Sequence, residues 1–201
     1  MTPADPERLV ATRIADSVAV KQAFLRDQES LRLVAEIARL ITNSIRHGGK
    51  VFFFGNGGSA ADAQHLAAEL AGRYLLDRRG LPGLALTTNT SSLTAIANDY
   101  GYNAVFSRQL QALASPGDIA VAISTSGNSP NILLAVEAAR KKQLITVALT
   151  GAGGGKLKAL VDHCICAPSE HPARIQELHI LIGHVLCEIV EQELVKEGGM
   201  A

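Results

Sequence analysis

Residues 50–71, KVFFFGNGGSAADAQHLAAELA, constrain the fold more tightly than any other stretch of the chain. Val51-Phe52-Phe53-Phe54 is an apolar run of strand length, β-branched and aromatic, and reads as a buried strand. Gly55-Asn56-Gly57-Gly58 breaks regular structure, because glycine takes backbone angles closed to other residues and lets a ligand approach the main chain. Ser59 is a good N-cap, and Ala60 to Ala71 has high helix propensity. A strand, a glycine turn and a helix start in this order make an anion site. Free N–H groups and the helix dipole there favour a negative guest by about 0.3–1 kcal/mol. On the same helix His65 and Glu69 stand four apart and share a face. They read as an acid–base or metal pair, or as an exposed ion pair contributing about 0.2–0.5 kcal/mol. The glycine turn also has a second reading, tight packing alone.

With 201 residues, one domain is expected, large enough to bury roughly 70% of its unfolded surface. Lys plus Arg (19) equals Asp plus Glu (19), so no broad basic face for nucleic acid is implied. No apolar run approaches the roughly 20 residues of a membrane span, and the N-terminal residues have no signal-type apolar core. Cys164, Cys166 and Cys187 lie in apolar surroundings and form no CxxC pair, so they read as buried free thiols. A cytoplasmic soluble protein is expected.

The pattern from Asp5 to His47 predicts two helices, with a break near Arg26-Asp27 and an end at Gly48-Gly49. Their apolar stripe (Leu9, Val10, Ile14, Val18, then Leu31, Val34, Ile37, Ile41) must bury itself on the domain or on another subunit. Leu84 to Thr87 reads as a second strand. Ser91 or Ser92 caps a short helix through Ile96, Asn98 to Tyr102 reads as a loop, and Val105 to Ala114 as a helix. Strands follow at Ile119–Ile123, Leu144–Leu149 and Cys164–Ala167, with a helix after Pro130 and a long C-terminal helix from Ala173 to about Lys196. Strands alternating with helices predict a five-stranded parallel sheet covered on both faces, a three-layer αβα sandwich. Such sheets bind ligands at the strand C-terminal edge, near a switch in strand order.

The first loop scans as GxGxxA, yet the second strand ends Thr87-Thr88-Asn89 without the acid a dinucleotide ribose requires. Gly151 to Leu157 fails as a nucleotide-phosphate loop, because Leu157 replaces the required hydroxyl. Ser124, Thr125, Ser126 and Ser129 are more telling, since they place four hydroxyls around a helix start beside Gly127. Hydrogen bonds to a charged acceptor contribute about 1.5–3 kcal/mol each, enough to hold a phosphomonoester without lysine. A turn that merely caps the helix remains the plain alternative. The C-terminal helix is apolar around most of its circumference, as a helix buried in a core or between subunits would be. Within it, Gln176 and His184 are eight residues apart, two turns and roughly 80° offset, and both can reach one cavity. A packed core histidine is the other reading of His184.

The loops GNGGSAADAQH and ISTSGNSPN and the tail RIQELH together resemble the sugar-isomerase (SIS) fold, and within it the phosphoheptose isomerases. The likeness spans about Ala35 to Leu194. It implies a single SIS domain over residues 1–201, with N-terminal helices at 1–48 and the core with its C-terminal helix at 50–197. The implied activity converts D-sedoheptulose 7-phosphate to D-glycero-D-manno-heptose 7-phosphate, the first step of nucleotide-activated heptose biosynthesis. By resemblance, Asn56, Gly57, Gly58, Asn98, Asp99, Ser124, Thr125, Ser126, Ser129 and Gln176 line the substrate. Glu69 and His184 carry the acid–base chemistry, and His65, Glu69, Gln176 and His184 hold a zinc ion. The family also implies a homotetramer with shared active sites. Related SIS proteins include a DnaA-binding replication adaptor and sugar-phosphate sensors, which lack the catalytic pair kept here. Ala68 and Ala173 stand where some isomerases carry acidic residues.

Overall fold

A computed structural model describes residues 5–196. The expected domain limits at 1 and 201, and residue 197 at the end of the expected core, lie outside the described residues. Helix α1 (Pro6–Arg26) opens with Asp5 accepting from Glu7 N–H, and α2 (Gln28–Arg46) follows a one-residue break. Asp27 makes that break, its carboxylate capping α2 through the N–H groups of Glu29 and Ser30. The alternating part comprises β1 (Val51–Gly55), α3 (Gly58–Ala71), β2 (Gly83–Ala85), α4 (Thr90–Tyr100), α5 (Val105–Leu113), β3 (Ile119–Ile123), α6 (Pro130–Lys141), β4 (Ile145–Thr150) and β5 (His163–Cys166). The long α7 (Pro172–Lys196) closes it.

All strand pairings are parallel and the order is β2-β1-β3-β4-β5, so the order reverses between β1 and β3. Side chains alternate across the sheet. Val51, Phe53, Val121, Ile123, Val147 and Leu149 face α2, α3 and α7, while Phe52, Phe54, Ala120, Ala122 and Ala148 face α5 and α6. Every residue of β1 and β3 is buried, as expected for a parallel sheet between helical layers. The C-terminal ends of β1 and β3 lie side by side, with Gly55 opposite Ile123, so their loops share one crevice.

Several local expectations are corrected. Ser59 does not cap α3: Gly57, at φ +56°, turns the chain first, and Ser59 is buried inside the helix. The amides of Ser59 and Ala60 bond back to the carbonyls of Asn56 and Gly57, leaving an anion fewer free donors at this helix start than the sequence implied. Asn89, not Ser91 or Ser92, caps α4 by accepting from Ser92 N–H. The expected loop at Asn98 to Tyr100 is the last turn of that helix, which runs on until Gly101. Strand β2 is only Gly83–Ala85, an edge strand that leaves Thr87 outside the ladder. Cys187 is buried, but Cys164 and Cys166 are half-buried; all three are free. The stripe of α1 stays open on the single chain, with Leu9, Val10, Ile14 and Val18 each 47–60% exposed.

Candidate active site

Two groups of polar side chains stand out. The first is a small cavity of about 70 Å³ between the two loops, lined by Asn56, Ser59, Ser124, Thr125, Ser126, Ser129 and Gln176. The serine loop folds on itself: Gly127 N–H donates to Ser124 O and Oγ, and Asn128 N–H to Ser126 Oγ, each at 3.2 Å. Ser129 stands at the N-cap of α6 without bonding the helix amides, so its hydroxyl remains available to a ligand. Pro130 follows as the first helical residue, where its missing N–H costs nothing.

A reciprocal amide pair joins the loops. Asn56 Nδ2 donates to Asn131 Oδ1 at 2.9 Å, and Asn131 Nδ2 donates back to Asn56 Oδ1 at 2.8 Å. Tyr102 adds its hydroxyl to the same Asn56 oxygen at 3.2 Å. Neither Asn131 nor Tyr102 was singled out from sequence, although Asn131 closes the quoted ISTSGNSPN motif. Gln176 rests its amide against Gly58, where a Cβ would come within 2.7 Å of Gln176 Nε2. Asn98 and Asp99 are exposed at the end of α4, one turn before Tyr102. Their side chains bond each other at 2.8 Å rather than either loop.

The second group lies where α3 crosses α7. His65 Nε2 is 2.8 Å from His184 Nε2 and 3.2 Å from Glu69 Oε1. The three ligating atoms all fall within 4.8 Å of one another, although 119 residues separate the histidines in sequence. Gly183 makes this approach possible, since a Cβ there would sit 2.5 Å from Leu66 Cδ2. His184 meets two rings, Tyr74 stacked at 5.6 Å and 22° and His65 edge-on at 5.0 Å and 71°. Two imidazoles and a carboxylate converging from rigid helices fit a tetrahedral divalent cation such as zinc. Gln176, the fourth member of the expected set, lies against Gly58 and lines the small cavity.

A buried histidine nearby plays a different part. His179 is fully buried, 3.0 Å from Thr150 O, and burial pushes its pKa down to about 4. It is a neutral packing residue, as lone histidines on apolar helices usually are.

Residues 15–151 match the SIS domain family. The phosphoheptose isomerase of Rhodospirillum rubrum is 58% identical over 171 residues, covering 85% of this chain and 91% of the relative. That of Aneurinibacillus thermoaerophilus is 52% identical over 187 residues, covering 93% of this chain and 94% of the relative. The chain belongs to the phosphoheptose isomerase family of SIS-domain proteins. Solved phosphoheptose isomerases superpose on it closely. The Neisseria gonorrhoeae protein gives a TM-score of 0.88 at 42% identity, covering 94% of this chain and all (100%) of that one. The Francisella tularensis protein gives 0.89 at 35%, covering 94% and 99%. The five-stranded SIS sandwich expected from the resemblance is the fold observed.

Proposed function

We infer that this chain is an aldose–ketose isomerase converting D-sedoheptulose 7-phosphate to D-glycero-D-manno-heptose 7-phosphate. The observation that carries the reading is the convergence of Glu69 and His184 from α3 and α7, in a chain that also carries a hydroxyl-lined cavity at the strand switch. A replication adaptor or a sugar-phosphate sensor needs the cavity but has no use for a carboxylate and a histidine brought together from α3 and α7.

In the proposed mechanism the hydroxyls of Ser124, Thr125, Ser126 and Ser129 hold the phosphate. Asn56, Gly57, Gly58, Asn98, Asp99 and Gln176 contact the sugar. Glu69 removes the proton from the carbon beside the carbonyl, giving an enediol(ate), and returns it to the neighbouring carbon. One carboxylate serves both because the two carbons are adjacent. His184 moves protons on the oxygens. General acid–base groups contribute about 10²–10⁴-fold each. His65, Glu69 and His184, with Gln176 as a weaker fourth donor, are the residues that would hold zinc. When bound, the ion would polarise the substrate oxygens. Glu69 cannot be a tight ligand and a free base at once, so the two roles alternate or the metal is dispensable.

The open stripe of α1 and the apolar groove of about 380 Å³ between α1, α2 and α7 support a homo-oligomer, read here as a tetramer with shared active sites. Three free cysteines fit a reducing cytoplasm. The product would supply nucleotide-activated heptose for lipopolysaccharide or another glycoconjugate. Incubating pure protein with sedoheptulose 7-phosphate and following the aldoheptose phosphate by NMR tests the reaction. An unchanged spectrum with folded protein refutes it. Sedimentation at micromolar concentration tests the assembly, and an active monomer refutes that part.

A further inference from the structure

Arg78 and Glu191 form an ion pair whose side chains are both 0% exposed, with Arg78 Nε 3.0 Å from Glu191 Oε1. The pair lies beside the histidine cluster without belonging to it. Arg78 donates to the carbonyls of Glu69, Leu70 and Gly72 at 2.8–2.9 Å, which closes the C-terminal turn of α3. Glu191 accepts three consecutive main-chain N–H groups: Tyr74 at 3.0 Å on one oxygen, Leu75 at 2.7 Å and Leu76 at 2.8 Å on the other. Burial acts to raise the Glu191 carboxyl, but these donors and Arg78 outweigh it and hold it below the usual carboxylate range. Removing either partner would strand a buried charge, so the segment that Glu191 holds by its amides is fixed in place.

The tied-down segment carries Tyr74, and Glu191 comes seven residues after His184, two turns along α7 and within roughly 20° of the same face. One rigid unit therefore sets both the ring of Tyr74 and the helix that presents His184. The two rings stack nearly parallel, at 22° and 5.6 Å. A flat aromatic wall against the ring, with His65 meeting its Nε2 at 2.8 Å, leaves the imidazole little freedom to rotate about its Cβ–Cγ bond.

We propose that Tyr74 is a positioning residue for His184: anchored through Arg78 and Glu191, its ring fixes the plane of the imidazole so that Nε2 stays directed at His65 and Glu69. The proposal rests on the reading of His184 as a proton-transferring group. The work is done by the ring and not by the hydroxyl, so the conservative variant rescues function.

Steady-state kinetics on the full-length protein, at a temperature where circular dichroism shows each variant folded, provide the test. Tyr74→Phe should keep kcat within about twofold. Tyr74→Leu, which retains apolar bulk but loses the flat wall, should lower kcat about 10–100-fold with KM nearly unchanged, the scale of loss a displaced catalytic group produces. Glu191→Gln, where it folds, should lower kcat in the same way. A Tyr74→Leu enzyme with normal kcat overturns the proposal, and so does a Tyr74→Phe enzyme as impaired as Tyr74→Leu. His184→Gln is run alongside. If that variant turns over normally, the reading of His184 fails; if it is inactive while Tyr74→Leu is normal, only the positioning role fails.

Discussion

Gly183→Ala probes the helix crossing that builds the site. The added Cβ would lie 2.5 and 2.6 Å from the two Cδ atoms of Leu66 and 3.0 Å from its Cγ. Leu66 is only 1% exposed, held between α3 and the sheet, and cannot swing into solvent. Overpacking of this kind costs about 1–3 kcal/mol. Against it, alanine is favoured over glycine within a helix by about 0.8–1 kcal/mol. The packing term is the larger, so the single variant should be neutral or less stable, by about 0–2 kcal/mol. Leu66→Ala alone should cost about 2–5 kcal/mol as a cavity variant. In that background the contact is gone and only helix propensity remains, so adding Gly183→Ala should now stabilise by about 1 kcal/mol. The change of sign is the prediction, and it amounts to a coupling of about 1–3 kcal/mol between neighbouring sites. Urea unfolding at one fixed protein concentration measures it, the concentration being held because association contributes to stability. Turnover supplies a second readout, since helices forced apart separate His65 from His184, now 2.8 Å apart. If Gly183→Ala stabilises both backgrounds equally, close approach at Gly183 is not what brings the two histidines together.

Three further outcomes are expected. Because the buried His179 has its pKa lowered to about 4 from 6.5, the unfolded chain binds a proton in that interval while the folded one does not. Stability should be complete above pH 6.5 and fall by up to about 3 kcal/mol as pH drops toward 4, and His179→Gln should flatten that slope in urea unfolding. Ser126→Ala should raise KM with a smaller effect on kcat, and sedoheptulose lacking the phosphate should bind far more weakly; equal binding of the two sugars would return the serine loop to a purely structural turn. Glu69→Gln should fold and bind substrate yet lose about 10³-fold in turnover. A chelated, metal-free enzyme that keeps full activity would show that Glu69 and His184 work without zinc.

Much of this protein is legible along the chain because it is decided locally. The apolar run before Gly55, the alanine-rich helix after it, and the hydroxyls from Ser124 to Ser129 beside Pro130 are short-range signals, and each yields the element expected. The break between α1 and α2 is legible for the same reason, since Asp27 satisfies amides two and three residues ahead of it. Where several residues compete for one local role the sequence was less decisive. Ser59 lost the α3 cap to the positive φ of Gly57, and the Ser91–Ser92 pair lost the α4 cap to Asn89. Asn98 to Tyr100 stayed helical because nothing stops the helix before Gly101.

The tertiary structure decided the remainder. His65 and Glu69 share a helix face by spacing alone, but His184 reaches them across 119 residues only because α7 can lie against α3 at Gly183. The Asn56–Asn131 pair exists only because β1 and β3 are neighbours in the sheet, and no spacing in the chain encodes that order. Tyr74 and Glu191 left no trace in the pattern, since a buried carboxylate is recognised by the amides and guanidinium that surround it. Local sequence sets which segments become strands, turns and helices, because their hydrogen bonds close within a few residues. The cluster of His65, Glu69 and His184 depends on side chains meeting across packed layers, and that is settled only when the layers close.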